Sequence, residues 1–442
     1  MNSKIISRTL QHKTVSIWGI GYLGYTTIIQ IQKHGFKCNV FDFFKQRLLD
    51  FKNDVYPYRI NDETWSEYKT IPRIDKDSVK ICFEAEKMFD DKSAIHIIAM
   101  PNENMDFFPN NIYSMLADLF KKFFSPDSQE ILILFLSASY PNSISNLFLK
   151  PLEYIKNNFK CAAAFRTDWM LEEFYNSAKY IIGQSCDEGN DAKVFISNIL
   201  QQNIISLDSI YEAEIFVNTK NSIEYCLDVF INQISNAYPD ANIGKIAQSL
   251  TSEINRFALN INIGSGGYKL PSAVENIIKG AKRNHNLSLL YEIQKADINN
   301  ILVYSDFILS RNIKNVLILG ITTQSDKKEI ALSPSVILAE ILIKNNLNVY
   351  VHDSFFHGNE LKEIISGSKE FDLVKNEMEI DVVFLMVAHR EYKSFTQEII
   401  DKSNIKSSKF IIDNTGIWDN IIFSENSIYY RVGSGKFFSE HK

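Results

Sequence analysis

The sequence has few cysteines and no pattern that would join them. Its 442 residues include five, Cys38, Cys82, Cys161, Cys186 and Cys226, with no CxxC pair and no spacing typical of metal ligands. Scattered thiols of this kind are typical of a reducing compartment. The sequence therefore predicts neither a disulfide framework nor a metal site.

Long apolar segments and blocks of basic residues are also missing. The longest apolar runs, 131–136 and 382–388, are strand-sized, well short of the roughly 18 residues that a membrane helix needs. The apolar stretch 15–20 leads straight into glycines and lacks the cleavage pattern of a secretory signal. With 47 basic and 53 acidic residues, the net charge is −6, which disfavours a nucleic-acid-binding surface. We therefore expect a cytoplasmic protein that binds neither membranes nor nucleic acid.

The composition that remains is ordinary for a large folded protein. Hydrophobic residues make up 45% of the chain and charged residues 23%. These proportions argue against disordered and fibrous architectures. At about 150 residues per domain, the length corresponds to roughly three domains.

Strand-sized apolar runs alternate with helical segments at both ends of the chain, a pattern that predicts parallel sheets covered by helices. The predicted strands are 15–18, 37–42, 81–83, 94–100, 131–136, 162–165, 316–319, 348–352, 382–387 and 410–412, and the predicted helices include 22–34 and 333–345. Between the two ends, residues 208–311 show helical spacing of apolar side chains, for example at 223, 227, 230, 231 and 234, interrupted once, at 262–271. The predicted fold class is α/β, with two Rossmann-like doubly wound domains joined by a long-helix central region. The two α/β regions are candidates for sharing a similar fold.

A GxGxxG motif follows the first predicted strand and opens the first long helix. Gly19 allows the tight turn, Gly21 lets a pyrophosphate approach the backbone, and Gly24 lets the helix pack against the strand. Asp42, at the end of the second strand, is suited to accept ribose hydroxyls and would repel a 2′-phosphate, which favours NAD over NADP. The predicted cofactor-binding residues are Gly19, Ile20, Gly21, Tyr22, Leu23, Gly24 and Asp42. The alternative is a glycine-rich turn without a ligand.

Further motifs lie along the whole chain. In order, they are Ser139-Tyr140-Pro141, Ala213-Glu214, Asn221, Gly264-Ser265-Gly266-Gly267-Tyr268-Lys269-Leu270-Pro271, Asn299-Asn300, Gly320 with Ser333-Pro334, and Asp413-Asn414-Thr415-Gly416. Together with the GxGxxG motif, their order and rough spacing resemble the nucleotide-sugar dehydrogenase family, the enzymes similar to UDP-glucose and GDP-mannose dehydrogenases. The resemblance implies an NAD-binding domain at 1–207, a helical linker and dimerisation region at 208–311, and a nucleotide-sugar-binding domain at 312–442. It also implies a homodimer.

The resemblance further implies oxidation of a sugar C6 hydroxyl to a carboxylate in two hydride transfers, with a cysteine of the glycine loop trapping the aldehyde as a thiohemiacetal. Here Lys269 occupies that cysteine's position, and an ammonium cannot form a thioester. The family's active-site lysine falls on Val217, whereas its asparagine is kept as Asn221.

Other positions of the family pattern are also changed. Its Pro-Glu pair falls on Thr167-Asp168, its active-site threonine on Ser139, and two cations between Gly320 and Ser333 become Gln324 and Ala331. Loss of these cations should weaken recognition of a diphosphate. The predicted catalytic residues are Lys269, Asn221, Asp168 and Ser139, and the predicted substrate-binding residues are Gly266, Gly267 and Tyr268.

Several of these residues have a structural alternative. Lys269 is either a Schiff-base amine or general base, or a substitution tolerated in a site that no longer performs the second oxidation. Asp168 is equally suited to cap a helix, and Ser139 to end a strand in a turn. Residues 352–357, with two histidines and one aspartate, are expected in a solvated loop, and His96 in the core.

The predicted function is an NAD-dependent oxidoreductase acting on a nucleotide-activated sugar, diverged so that it does not complete the four-electron oxidation. A two-electron oxidation, or an oxidation followed by re-reduction, needs a positioned cofactor and a base but no cysteine. One alternative is an inactive NAD-binding relative with a binding or regulatory role in polysaccharide synthesis. Another is an active enzyme with a less anionic substrate.

Overall fold

A computed structural model describes residues 3–53, 74–89, 93–100, 111–124, 128–166, 179–184, 191–238, 240–254, 260–267, 269–281, 287–373 and 378–434. The chain divides into two compact units. The N-terminal unit is Met1–Lys220 with Glu275–Asn284, and the C-terminal unit is Asn221–Val274 with His285–Lys442.

The described part of the chain alternates strands and helices. The strands are β1 Thr14–Trp18, β2 Lys37–Phe41, β3 Val79–Ile81, β4 Ile95–Ile98, β5 Ile131–Phe135, β6 Phe159–Arg166, β7 Lys179–Gln184, β8 Asn203–Leu207, β9 Asn315–Leu319, β10 Asn348–His352, β11 Lys369–Glu370, β12 Val382–Leu385, β13 Phe410–Asp413 and β14 Ile428–Arg431. The α-helices are α1 Lys4–His12, α2 Tyr22–Lys33, α3 Lys45–Lys52, α4 Ile112–Phe123, α5 Asp191–Lys193, α6 Ile210–Ala237, α7 Ile243–Ile254, α8 Leu270–Gly280, α9 Ser288–Leu309, α10 Pro334–Lys344, α11 Gly358–Ile364, α12 Arg390–Lys393 and α13 Gln397–Asp401. Short 3₁₀ and π-helical segments include Ile144–Leu149 and Val194–Ile199.

The N-terminal unit contains an eight-stranded sheet in the order β3-β2-β1-β4-β5-β6-β7-β8. Its strand pairs are parallel except β6 with β7, which is antiparallel. Successive side chains of a strand point to opposite faces, and here both faces are buried: Ile17 packs in one apolar cluster and Trp18 in another. A parallel sheet buried on both faces explains why these strands are continuous apolar runs in the sequence.

The C-terminal unit contains a six-stranded sheet, all parallel, in the order β11-β10-β9-β12-β13-β14. Counted from β9, this is the order 3-2-1-4-5-6 of a Rossmann fold, and the first six strands of the other sheet have the same order. The predicted fold class, two doubly wound Rossmann-like folds with long helices between them, is confirmed.

The two units also repeat one turn in atomic detail. Gly19 and Gly320 each follow the first strand with a positive φ, +95° and +86°. In each unit an aspartate after the second strand accepts the N–H of the residue that follows this glycine, Asp42 at 2.9 Å and Asp353 at 2.7 Å. The structural similarity between the two α/β regions that was expected from the sequence is therefore present.

Some predicted boundaries were wrong. The strand expected at 81–83 is observed at Val79–Ile81. The non-helical interruption expected at 262–271 ends earlier, because α8 begins at Leu270 and includes Pro271. The central helical region is broken more than once, because residues 240–242 and 281 are also non-helical. Strands β7, β8, β11 and β14 were not predicted, and β11 has only two residues. The apolar runs of the other three are short or interrupted by polar residues, so they lack the continuous hydrophobicity of the central strands.

In the parts of the chain that the structure describes, no helix is long and apolar enough to cross a membrane. Those parts also hold no group of three histidine, cysteine or acidic side chains placed to bind a metal ion.

Candidate functional site

The GxGxxG motif forms the turn between β1 and α2, at the point where the strand order reverses. A Cβ on Gly24 would lie 1.8 Å from the carbonyl oxygen of Gly19, so only glycine allows α2 to begin this close to β1. A Cβ on Gly19 would lie 2.8 Å from the carbonyl oxygen of Ala99, the residue after β4. The first and third glycines thus have the packing roles expected from the motif.

Gly21 differs from its two neighbours because the space beside it is open. It is the N-cap residue of α2 and has no side chain to cap the helix. The closest atom to a Cβ built on it is Nη1 of Arg47, 3.8 Å away. Free N–H groups at a helix N-terminus bind phosphate oxygens, and a guanidinium adds positive charge. The turn therefore fits a pyrophosphate.

Asp42 is buried beneath this turn. Its Oδ2 accepts the N–H of Ile20 at 2.9 Å, and its Oδ1 accepts the N–H of Phe44 at 2.9 Å. Arg47 Nη1 lies 3.7 Å from Oδ2. A carboxylate has about four acceptor positions, so these contacts leave capacity for a ribose hydroxyl. Asp42 has both a structural role in the turn and the chemistry of a ribose acceptor.

Ser139 lies in the N-terminal unit, four residues after β5, and is fully buried. Its carbonyl accepts a hydrogen bond from Asn218 Nδ2 at 2.8 Å, and Asn218 Oδ1 accepts one from Asn276 Nδ2 at 3.1 Å.

The motif residue Glu214 accepts hydrogen bonds from the N–H groups of Asn142 and Ile144. Burial raises the pKa of Glu214 to about 7, against these hydrogen bonds, which lower it. This network fixes the turn that contains Ser139.

Val217, which the resemblance assigned to the position of a family lysine, is buried in the apolar cluster of the N-terminal unit that contains Trp18 and Phe135. Asn221 is one turn later on α6 and belongs to the C-terminal unit. Its side chain is largely buried and makes no hydrogen bond with another described residue. The helix therefore keeps a polar group at 221 and an apolar one at 217.

The glycine loop 264–267 is held inside the C-terminal unit by backbone hydrogen bonds. Ser265 N–H donates to Asp297, and Gly267 N–H donates to the carbonyl of Ala331 at 2.7 Å. A Cβ on Gly266 would lie 2.8 Å from Pro334 Cδ and 2.9 Å from the carbonyl oxygen of Leu332. The loop needs glycine because it packs directly against the segment leading into α10.

Lys269, just after this loop, forms an ion pair that the sequence did not reveal. Its Nζ lies 2.8 Å from Oε2 of Glu224 on α6, three residues beyond Asn221, and each of the two side chains is 21% exposed. Asp228 lies one further turn along the same helix. Burial raises the pKa of Asp228 to about 7, and burial raises that of Asp297 to about 6. The spacing 221, 224, 228 was the sequence signal for this polar face.

The glycine loop and residues 323–324 contain buried polar atoms that lack a hydrogen-bond partner in the described part of the chain. Among the described residues, Ser265 Oγ, Thr323 Oγ1 and Gln324 Oε1 have no hydrogen-bond partner. Thr323 lies against the loop, since its Cγ2 is 3.1 Å from a Cβ built on Gly266. Buried polar groups are normally satisfied, so such atoms are candidates for contacts with a bound molecule.

A buried histidine, also missed from the sequence, fixes the segment that carries Gln324. His389 Nδ1 accepts the N–H of Asp326 at 3.0 Å, and its Nε2 lies 3.0 Å from Thr322 Oγ1 and 3.3 Å from Asp353 Oδ2. Asp353 is fully buried, so the expectation of a solvated loop was wrong at this residue. Asp353 lies beneath the turn at Gly320 in the same way that Asp42 lies beneath the turn at Gly19.

The structure places the predicted residues in two groups. Gly19 to Gly24 and Asp42 form one turn in the N-terminal unit, where Ser139 also lies, while Gly266, Gly267, Lys269 and Asn221 lie in the C-terminal unit. Asp168 and Tyr268 fall outside the described residues.

Known proteins are similar to this chain in sequence. Residues 317–420 match the UDP-binding domain of the UDP-glucose/GDP-mannose dehydrogenase family. The chain is 24% identical to the UDP-glucose 6-dehydrogenase of Rickettsia prowazekii over 328 residues, 70% of this chain and 74% of that one. It is 24% identical to the Rickettsia conorii enzyme of the same name over 340 residues, 72% and 76% of the two chains.

Solved structures show the same fold. A UDP-D-ManNAc dehydrogenase from Pyrococcus horikoshii superposes with a TM-score of 0.73 at 17% identity, covering 96% of this chain and 99% of that one. A UDP-glucose dehydrogenase from Pyrobaculum islandicum superposes with a TM-score of 0.72 at 13% identity, covering 96% and 98%.

Proposed function

We propose that this chain, a member of the nucleotide-sugar dehydrogenase family, is an NAD-dependent oxidoreductase that acts on a hydroxyl of a nucleotide-activated sugar and stops before the acid. The observation that carries the proposal is the turn at Gly21, with an open approach to the N-terminus of α2 and Asp42 beneath it. The family match of residues 317–420 supports the nucleotide part of the substrate.

The N-terminal unit fits the dinucleotide. The N–H groups at the start of α2, beside Gly21 and Arg47, would hold the pyrophosphate. Asp42 would accept the adenosine ribose hydroxyls while it keeps its hydrogen bonds to Ile20 and Phe44. When bound, NAD supplies the hydride acceptor.

The C-terminal unit would hold the sugar substrate along its glycine loop. The hydroxyls of Ser265 and Thr323 and the amide oxygen of Gln324 are buried hydrogen-bonding groups suited to sugar or phosphate oxygens. Since Gln324 and Ala331 replace two cations of the family pattern, recognition would depend on neutral hydrogen bonds more than on charge. Gly266, Gly267 and Tyr268 remain our proposed substrate-binding positions.

Two changes support incomplete oxidation. Lys269 replaces the thiol needed for a thioester and is engaged by Glu224. Val217 replaces a lysine and packs in an apolar cluster. Asn221, Lys269, Asp168 and Ser139 remain our proposed catalytic residues.

We further propose a homodimer located in the cytoplasm, with the domain division 1–207, 208–311 and 312–442 expected from the sequence. Support for the dimer comes from α6, where Ile223 and Phe230 are one heptad apart and are 44% and 58% exposed. Apolar side chains repeated on an exposed helix face are typical of a protein interface.

The second candidate function is an inactive NAD-binding relative with a regulatory or binding role in polysaccharide synthesis. The burial of Val217 and the ion pair of Lys269 favour it, because both changes remove groups that the family uses for chemistry.

A mass-spectrometric product scan with NAD and a panel of nucleotide sugars tests the proposal. We expect a sugar that loses two hydrogens with formation of NADH, or one that isomerises at constant mass. A carboxylate product would contradict the incomplete oxidation. No product despite NAD binding would contradict the oxidoreductase and favour the second candidate.

A further inference from the structure

The ion pair between Lys269 and Glu224 limits what Lys269 can do chemically. The sequence left two active roles open for it, a Schiff-base amine and a general base. Both roles need the neutral amine, whose lone pair attacks a carbonyl carbon or takes a proton. A lysine at neutral pH is an ammonium, and a carboxylate within hydrogen-bond distance favours that charged form. The Nζ to Oε2 distance is 2.8 Å.

Other carboxyl groups lie in the same unit as this pair. Asp228 follows Glu224 by one turn of α6, and its pKa is raised to about 7 mainly by burial; Glu224 and Asp297 raise it further, while Lys269 lowers it. Asp297, on α9, accepts the Ser265 N–H of the glycine loop. Glu329 Oε1 is 3.1 Å from a Cβ built on Gly267. Of these groups, Asp228 interacts electrostatically with Lys269, because Lys269 lowers the pKa of Asp228.

The pair is also reachable. Each side chain is 21% exposed, and Lys269 is two residues after Gly267 of the glycine loop. Within the same unit, Ser265 of this loop and Thr323, which packs against Gly266, carry buried hydroxyls without a partner among the described residues.

We propose that Glu224 is a positioning residue that holds Lys269 as an ammonium ion, so that Lys269 serves a substrate oxygen as a charged hydrogen-bond donor and forms no imine. This inference rests on the proposed function for the identity of the substrate. The requirement that Lys269 stays an ammonium is independent of it.

Reductive alkylation of the full chain tests the inference without any turnover. Glycolaldehyde with cyanoborohydride at neutral pH converts neutral lysine amines through an imine into stable secondary amines, which peptide mass spectrometry quantifies at each lysine. We expect Lys269 to react less than the exposed Lys344. Glu224→Gln should raise the alkylation of Lys269 about threefold to tenfold and leave Lys344 unchanged.

A matched control is the exposed pair between Lys295 and Glu292, at 2.6 Å with side chains 68% and 67% exposed. Because solvent screens this pair, Glu292→Gln should change the alkylation of Lys295 little and that of Lys269 not at all. Glu224→Asp, which keeps the charge, should keep Lys269 less reactive than Glu224→Gln does. Equal alkylation of Lys269 in the wild type and Glu224→Gln, with both variants folded by circular dichroism, would overturn the inference.

Turnover measurements on Lys269 variants distinguish a role as a charged hydrogen-bond donor from a role as a Schiff-base amine. Lys269→Arg keeps a cation that cannot form an imine, whereas Lys269→Met removes the charge. Where the wild type forms NADH from a nucleotide sugar, Lys269→Arg should keep kcat within about tenfold and Lys269→Met should lose about a hundredfold or more. Equal loss in both variants, with a borohydride-trapped substrate adduct on wild-type Lys269, would overturn the inference. If the wild type shows no turnover, the proposed function fails, and the alkylation result still decides the state of Lys269.

Discussion

At the scale of single residues, Asp42 has an observed role and a proposed one, and mutation can separate them. It accepts the backbone N–H groups of Ile20 and Phe44, and we propose that it also accepts ribose hydroxyls. Asp353 makes the same kind of contacts beneath Gly320, in the unit without a GxGxxG motif. Asp353 therefore serves as a control for the structural role of Asp42 in holding the turn.

Asp42→Ala should weaken NAD binding about tenfold or more, because a charge-assisted hydrogen bond is worth about 1.5–3 kcal/mol. It should also shift preference toward NADP, since the repulsion of a 2′-phosphate is lost and Arg47, 3.7 Å from Asp42, is released. Isothermal titration calorimetry with both dinucleotides measures this.

Asp353→Ala is the matched control for this experiment. It removes equivalent backbone hydrogen bonds and should lower thermal stability without changing the ratio of NAD to NADP affinity. An Asp42→Ala variant with wild-type NAD affinity would show that the ribose is not bound at this carboxylate.

Lys269 supports a second prediction at this scale. Lys269→Cys should not produce acid, because Val217, which we assign to the family's lysine position, lies in an apolar cluster. Mass spectrometry of the products, with Lys269→Ser as a control of similar size without a thiol, measures it. Acid produced by Lys269→Cys alone would contradict the assignment of Val217 to the lysine position.

At the scale of elements, α6 combines an apolar face with carboxylates that are costly to ionise. Asp228 is buried and its pKa is raised from an ordinary 3.8 to about 7. A carboxyl group with a raised pKa binds more protons when folded, so the stability that it contributes is present at low pH and is lost as the pH rises toward 7.

Asp228→Asn should remove this pH dependence. Its amide oxygen can still accept the Asn260 N–H, 3.4 Å away in the wild type. Between about pH 5 and pH 8, the variant should gain about 2–4 kcal/mol of unfolding free energy relative to the wild type. Urea denaturation midpoints at both pH values provide the comparison.

Asp401 is a control with the opposite sign, because hydrogen bonds from Lys406 and Gln397 lower its pKa at the surface. Asp401→Asn should lose a little stability relative to the wild type as the pH rises to about 5, and it should show no further change between pH 5 and pH 8. Identical pH profiles of the wild type and Asp228→Asn would contradict the raised pKa of Asp228.

At the scale of the whole molecule, the exposed face of α6 predicts self-association. Phe230→Glu places a charge at the centre of the proposed interface and should convert a dimer into a monomer, which light scattering after size-exclusion chromatography measures. Ile422→Glu is the control, since Ile422 is a surface residue outside α6 and is 73% exposed. A monomeric wild type, or equal dissociation in both variants, would contradict the proposed interface.

The sequence predicted the fold class and the central strands well because a parallel sheet buried on both faces needs continuous apolar segments, as in 131–135. It predicted less well at the margins of the sheets. Strands β8 and β14 are only partly buried, so their composition differs little from that of a loop. The GxGxxG turn was predictable because steric limits at Gly19 and Gly24 allow one residue type.

By itself, then, the sequence determined where glycine, apolar runs and helix starts must lie, since these follow from local backbone geometry and burial. Only the tertiary structure decided which distant side chains meet. Glu224 and Lys269 are 45 residues apart, and His389 is 36 residues from Asp353. Contacts of this kind depend on how α6, the glycine loop and the C-terminal sheet pack within their unit, and no local pattern specifies that packing.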